Sequence, residues 1–204
     1  MNACAGLAAV LVLAPAGMLA AQVAQPHPGA GMGVMTMHGK AGIATQVSPS
    51  EISLAVPEHV TFRVRILPDT RFTQEGQPVS EDAVQPDSAI FVHGVFDMQA
   101  RTVDAEAIDL MPQSRALRVR MENYGKTWTS GVITDVGNGS ITIQHLDGSS
   151  GTLVVSTSSS VLFHSDPALL SDLRRGEQVD VGLERNDPSA AETIRIQGMV
   201  RGYR

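Results

Sequence analysis

GVITDVGNGSITIQHLDGSSGTLVVST, residues 131–157, decides the fold, because it spells strand, turn, strand, turn, strand in one short run. In its first six residues Val132, Thr134 and Val136 alternate with Ile133 and Asp135, the period-two pattern of a strand with one buried face. Gly137-Asn138-Gly139 supplies residues that tolerate positive φ, as a tight hairpin requires. Ile141 and Ile143 then share a face, Asp147-Gly148 turns the chain again, and TLVVST is a third β-rich run bounded by small polar residues. The Ser/Thr run at residues 156–160 reads as loop.

Beyond it the texture changes. Asp166 is placed to cap a short helix with Pro167 at its first position, and Ala168, Leu169, Leu170 and Leu173 give a turn or two before Arg174-Arg175-Gly176 stops it. QVDVGLE and ETIRIQG then alternate on either side of Asn186-Asp187-Pro188. Three strands, a short helix and two strands in roughly seventy residues is the pattern of the five-stranded OB barrel, which closes its sheet to remove exposed edges. A five-stranded sandwich would read similarly.

An earlier stretch repeats these landmarks in order. GIATQV matches GVITDV, with Gly42 against Gly131 and Val47 against Val136, and Ile52 and Leu54 match Ile141 and Ile143. TFRVRI (Phe62, Val64) is set against TLVVST (Leu153, Val155), and Phe72 against Phe163. SEDAV, with Ser80 as its cap and Ala83-Val84 as its buried side, takes the place of the LSDL helix. AIFVHGVF matches QVDVGLE, and VDAEAIDL matches AAETIRIQ, which puts Ile108 on Ile194. Duplication is the economical explanation. The expected class is therefore all-β: two tandem five-stranded OB-like barrels, each with a short helix between strands 3 and 4, over residues 40–111 and 129–201.

The segment before them is not read as fold. Residues 1–39 carry no Asp, Glu, Lys or Arg, and residues 7–21 are almost all Ala, Leu, Val and Met. Such a run is too short for a membrane span of ~20 residues, and Leu19-Ala20-Ala21 offers small residues for signal peptidase. Residues 1–21 are expected to be a signal peptide cleaved near Ala21, leaving no stable transmembrane segment and placing the protein in the periplasm or outside the cell. The basic residue that usually precedes the apolar core is absent. Cys4, the only cysteine, falls in this segment, so disulfides and Cys-ligated zinc are excluded from the mature chain.

Residues 22–39, rich in Gly, Pro and Met, have no periodicity that would bury a face and read as a tether. Met32, Met35, Met37 and His38 have the donor chemistry of a Cu(I) site. A flexible segment must lose conformational freedom to close on an ion, which favours the tether without metal. No metal, cofactor or catalytic residue is assigned beyond that speculative set.

Charge is uneven. Residues 40–112 hold five Lys or Arg against eleven Asp or Glu, a net of −6, whereas residues 113–204 balance ten against ten. An acidic chain with few aromatics is a poor nucleic-acid binder, because phosphate affinity comes from clustered Lys and Arg and single-strand affinity from stacking rings. The connector, residues 112–128, carries Arg115, Arg118 and Arg120. It reads equally as a helix begun at Ser114 or as a strand in which Leu117, Val119 and Met121 alternate with arginines. It either rests against the acidic first domain or is solvated. Surface ion pairs contribute less than about 1 kcal/mol each, which favours the solvated linker. Trp128 is expected to cover the end of the second barrel or the seam between domains.

Catalytic motifs are lacking. His59, His93, His145 and His164 are isolated in sequence, and no HExxH, GxSxG or phosphate-loop pattern occurs. Glu81-Asp82 suits the positive end of the first short helix better than proton transfer.

With two copies of G-[VI]-[IA]-T-x-V, an I-[TS]-[IL] strand, a short S-D-L-like helix and a final A-E-T-I or A-E-A-I strand, the chain resembles the exported bacterial domain-of-unknown-function family 5666 over nearly all of residues 40–200. That resemblance implies tandem OB-like barrels in a secreted or periplasmic protein, with no assigned activity. A looser likeness is to the periplasmic OB-fold chaperones of copper and silver efflux, whose ITI-His strand is similar to ITIQHLD and its His145. Their Trp and Met metal pair is missing, since Thr152, Leu153 and Val154 stand there. The sequence therefore leads to an exported, non-enzymatic binding or structural module of the cell envelope, whose partner is a protein, small molecule or glycan and not nucleic acid. The alternative is a periplasmic metal-binding protein using the tether.

Overall fold

The computed structural model describes residues 39–112 and 114–200. The expected signal peptide, its cleavage point at Ala21 and the tether residues Met32, Met35, Met37 and His38 lie outside them.

The first barrel is built from β1 (Lys40–Ser48), β2 (Glu51–Ala55), β3 (Thr61–Gln74), β4 (Gln77–Pro78), β5 (Ala89–Asp97) and β6 (Thr102–Met111). Its five long strands close in the order β2-β1-β5-β6-β3 and back to β2, with β3 and β6 parallel and the other neighbours antiparallel. The second repeats this with β7 (Trp128–Gly137), β8 (Ser140–Gln144), β9 (Ser150–Val154), β10 (Ser160–Phe163), β11 (Asp166–Ala168), β12 (Glu177–Glu184) and β13 (Asp187–Met199). Here β9 and β10 together stand for the single long β3. Both barrels are closed and mixed, consistent with tandem OB-like domains. Among the described residues no helix is long and apolar enough to cross a membrane.

The cores follow from the alternation. Ile52 and Ile141, Val64 and Val155, and Ile108 and Ile194 are all buried. Phe62 meets Phe96 edge to face, centroids 5.4 Å apart, in the first barrel. That burial agrees with a duplication, but the hydrogen-bond register corrects its alignment. Gly131 pairs with Val179 as Gly42 pairs with Ile90, and Ile141 with Leu153 as Ile52 pairs with Val64. The equivalent of Val64 is thus Leu153, that of Ile66 is Val155, and that of Phe72 is Val161. Phe163 corresponds to Gln74 and is 47% exposed, which explains why it joins no core.

Two irregularities account for the shared motif G-x-x-T. Both first strands carry a bulge, between Ala44 and Gln46 and between Ile133 and Asp135. The bulged threonines donate across it, Thr45 Oγ1 to Ser53 O at 3.1 Å and Thr134 Oγ1 to Thr142 O at 3.2 Å. The bulge breaks the expected alternation of GVITDV: Val132 and Ile133 are both buried, and Val136 is 41% exposed. The preceding glycine is required by close approach, since a Cβ would lie 2.6 Å from Ala55 O at Gly42 and 2.4 Å from Gln144 O at Gly131. A second pair of hydroxyls pins the interruption of the third strand. Thr70 Oγ1 donates to Ala105 O and Ser159 Oγ to Ala191 O, both at 2.6 Å, while each accepts a backbone N–H, of Leu67 and of Ser156.

The expected short helices are smaller than their sequence suggested. Each is a 3-10 turn, Glu81–Ala83 and Leu170–Asp172, ahead of a buried residue, Val84 or Leu173. Ser80 precedes the first without a side-chain capping bond. Asp166 and Pro167 do not start a helix. They belong to β11, which turns back on β10 through a two-residue hairpin containing His164 at φ +56°, just as β4 turns back on β3 through Glu75 and Gly76.

The connector is a helix, α1 (Ser114–Glu122), and it is not a solvated linker. Leu117 is buried in an apolar cluster with Ile43 and Ala89 of the first barrel, against which Met111 and Met121 also pack. Arg118 Nη2 contacts Asp87 Oδ1 at 3.1 Å, and Arg120 Nη2 reaches Asp180 of the second barrel at 3.3 Å.

Candidate functional site

Three strands build an open hollow of about 320 Å³ on the outer surface of the first barrel, lined by Arg71 and Thr73 of β3, His93 of β5, and Glu106, Ala107 and Asp109 of β6. Register explains the convergence. Arg71 and His93 are the two cross-strand neighbours of Ala107, and Thr73 lies beside Asp109. Ala107 contributes only a methyl group, so its position is the floor between longer side chains. Glu106 is unpaired on both sides, because the ladder to β3 jumps from Ala105 to Ala107 and so does the ladder to β5. A bulge of this kind re-aims a side chain.

Asp109 organises one wall. Its Oδ2 lies 2.8 Å from His93 Nε2, and its Oδ1 accepts the Thr73 hydroxyl. The Phe91 ring packs beside His93, centroids 4.7 Å apart. The Thr73 hydroxyl is committed to the carboxylate and not to the imidazole, so the order of groups differs from the hydroxyl–imidazole–carboxylate relay of a catalytic triad. The trio is a fixed polar surface with donors and acceptors on offer.

Sequence reasoning placed His93 among isolated histidines and passed over the other five. Their separation in sequence hides them, since the parallel pairing of β3 with β6 brings residues 71–73 beside residues 107–109. A signal was nevertheless present. In the second barrel the register-equivalent residues are Ser160, Leu162, Gly182, Thr193 and Arg195 in place of Arg71, Thr73, His93, Ala107 and Asp109. Only the bulged glutamate recurs, as Glu192. The scaffold is duplicated and this surface is not.

His145, singled out by the chaperone likeness, lies elsewhere, at the seam between barrels. Its Nδ1 donates to Ser130 O at 3.0 Å, with Tyr124 and Thr129 hydroxyls 3.3 Å away, and its ring lies over Gly151. Around it, Lys40 Nζ meets buried Glu58 at 2.6 Å, Ser130 Oγ donates to the same carboxylate oxygen at 3.3 Å, and His59 Nε2 donates to Met121 O at 2.8 Å. Trp128 belongs to this seam. Arg120 lies 3.8 Å over its ring, and its N–H donates to Arg120 O. Burial raises the Tyr124 phenol above its ordinary pKa, the Glu58 and Asp147 charges add to this, and the bond to Thr129 opposes it. The Ser149 hydroxyl holds the Asp147 carboxylate below its ordinary value. His59 and His145 are tied to backbone carbonyls, and His164 sits in the β10–β11 hairpin against Phe163. Among the described residues no group of three or more His, Cys, Asp or Glu converges as a metal site.

No family model matches the chain, and no curated protein sequence matches it.

Proposed function

We propose that the protein is an exported, non-enzymatic binding module of the cell envelope, and that the hollow around Ala107 takes its ligand, a small molecule or a glycan end. The observation that carries this reading is the asymmetry of the duplication. Two barrels share bulges, turns and core positions, yet only the first presents Arg71, His93 and Asp109 at positions where the second has Ser160, Gly182 and Arg195. Structural need does not maintain that set, because the second barrel closes without it. The uncharged N-terminal segment supports export to the periplasm or beyond. The glycine and threonine of G-x-x-T and the bulged glutamate of A-E-[AT]-I, each with a backbone role in both copies, support membership of family 5666.

Thermal unfolding of the full chain against a panel of envelope small molecules and glycan fragments tests the reading. A ligand at one hundred times its Kd stabilises by about 2.7 kcal/mol. The expected result is stabilisation by at least one compound that disappears in Arg71→Ala. Stabilisation that survives this substitution moves the ligand site elsewhere. Turnover of any compound in the panel removes the non-enzymatic reading.

A further inference from the structure

Taking the hollow as the ligand site, we propose that its occupant is a small zwitterion, a free amino acid or short peptide, held with its carboxylate against Arg71 and its ammonium against Glu106. Both side chains line the hollow, and neither makes a hydrogen bond or ion pair among the described residues. Opposite charges do pair elsewhere on this barrel's outer surface: Arg65 Nε lies 2.5 Å from Asp104 Oδ1, and Arg63 Nε lies 3.9 Å from Glu51 Oε2. Asp109 is already engaged by His93 and Thr73. What remains is one unmatched cation and one unmatched anion, beside Ala107 on different strands.

That arrangement discriminates between ligand types. A simple anion that satisfies Arg71 meets the repulsion of Glu106 and Asp109, and a simple cation that satisfies Glu106 meets Arg71. An uncharged sugar desolvates both charges without supplying a counter-charge. A molecule with one carboxylate and one ammonium satisfies both, and the guanidinium can donate to its carboxylate in the two-pronged geometry that arginine favours. In the second barrel Glu192 keeps its bulge, but Ser160 stands in place of Arg71 and bonds to Thr193 Oγ1 at 3.1 Å, so half of the pair is gone.

The test is nuclear magnetic resonance titration of the ¹⁵N-labelled full chain with glycine, glycylglycine, acetate, methylammonium and glucose, following the backbone amides of Arg71, Thr73, His93, Ala107 and Asp109. For so open a site, glycine or glycylglycine is expected to saturate with a Kd of about 1 mM, a typical weak affinity. Acetate and methylammonium should bind at least about tenfold more weakly, as one lost charged contact implies. Arg71→Ala and Glu106→Gln should each weaken the zwitterion by a similar factor, while Glu192→Gln changes nothing. Spectra of the variants that otherwise superimpose on the wild type establish that they fold. If glucose shifts these amides and the zwitterions do not, the zwitterion is wrong and the hollow remains a ligand site. Silence from every probe overturns both. Zwitterion binding that is indifferent to Arg71→Ala and Glu106→Gln overturns the assignment of the two contacts.

Discussion

Thr45 and Thr134 occupy the same bulge in different barrels, and each donates its hydroxyl to the carbonyl of the strand opposite, at Ser53 and Thr142. Thr→Val at either site keeps the shape and removes the donor. Each substitution should lower stability by about 0.5–1.5 kcal/mol, the usual net worth of a hydrogen bond. The cost should be larger for Thr134, whose bond is partly buried while that of Thr45 is exposed. Urea unfolding of the two variants side by side measures the difference, and equal values would mean that burial of the bond is immaterial.

The glycine ahead of each bulge makes a steeper prediction. At Gly131 an added methyl meets a backbone carbonyl, which cannot rotate away as a side chain can. Gly131→Ala should therefore cost about 1–3 kcal/mol, as overpacking does. A shift in the urea midpoint without a change in slope is the expected form of the result.

Ile108 and Ile194 sit at equivalent places on the closing strands and are fully buried. Truncation of either to Ala should cost about 2–5 kcal/mol. Val132 of the second barrel joins the buried cluster of the first barrel's core, so damage to one barrel should be felt by the other. Calorimetry should show one transition shifting as a whole in both variants; two separated transitions would mean that the seam does not couple the barrels.

Lys40 and Glu58 form a close pair at the seam, with Glu58 only 6% exposed and its second carboxylate oxygen without a partner among the described residues. Lys40→Met leaves that carboxylate uncompensated and should cost about 3–5 kcal/mol, much of it recovered when Glu58→Gln is added. A double-mutant cycle in urea isolates the coupling, and strictly additive losses would show that the pair carries none.

Tyr124 gives the seam a pH dependence with a definite sign. Burial favours the neutral phenol in the folded state, so its contribution to stability is complete below the unfolded pKa of about 10 and is lost as pH rises from there toward the higher folded value. Urea midpoints between about pH 9 and 12 should fall more steeply for the wild type than for Tyr124→Phe. Parallel curves would sink the assignment.

Legibility in the sequence followed a physical line. Alternation and turn residues announce themselves within a few positions, so strand order, the second copy and the core pairs Ile52 with Ile141 and Ile108 with Ile194 could be read directly, whereas Val64 was set out of register, against Val155 in place of Leu153. Bulges do not, because one extra residue at Thr134 swaps faces without altering composition, and it misled the reading of Val132 and Val136. The third strand suffered similarly: Phe72 and Phe163 look alike, but chain register follows hydrogen bonds, and those put Val161 in the place of Phe72. Asp166-Pro167 looked like a helix start because the same residues also suit a strand leaving a hairpin. Half of the hollow depends on the parallel contact of β3 with β6, whose facing residues lie more than thirty positions apart, and no local pattern speaks of it.

Equivalent outer faces of the two barrels are covered by different things. On the second barrel, Val132 is sealed by the first barrel; on the first, its counterpart Ile43 is sealed by Leu117 of α1. The connector helix thus serves the first barrel as a surrogate neighbour, occupying the berth that a preceding repeat would need. Equivalent faces have different covers, so the two copies could not trade places without leaving one of those faces bare.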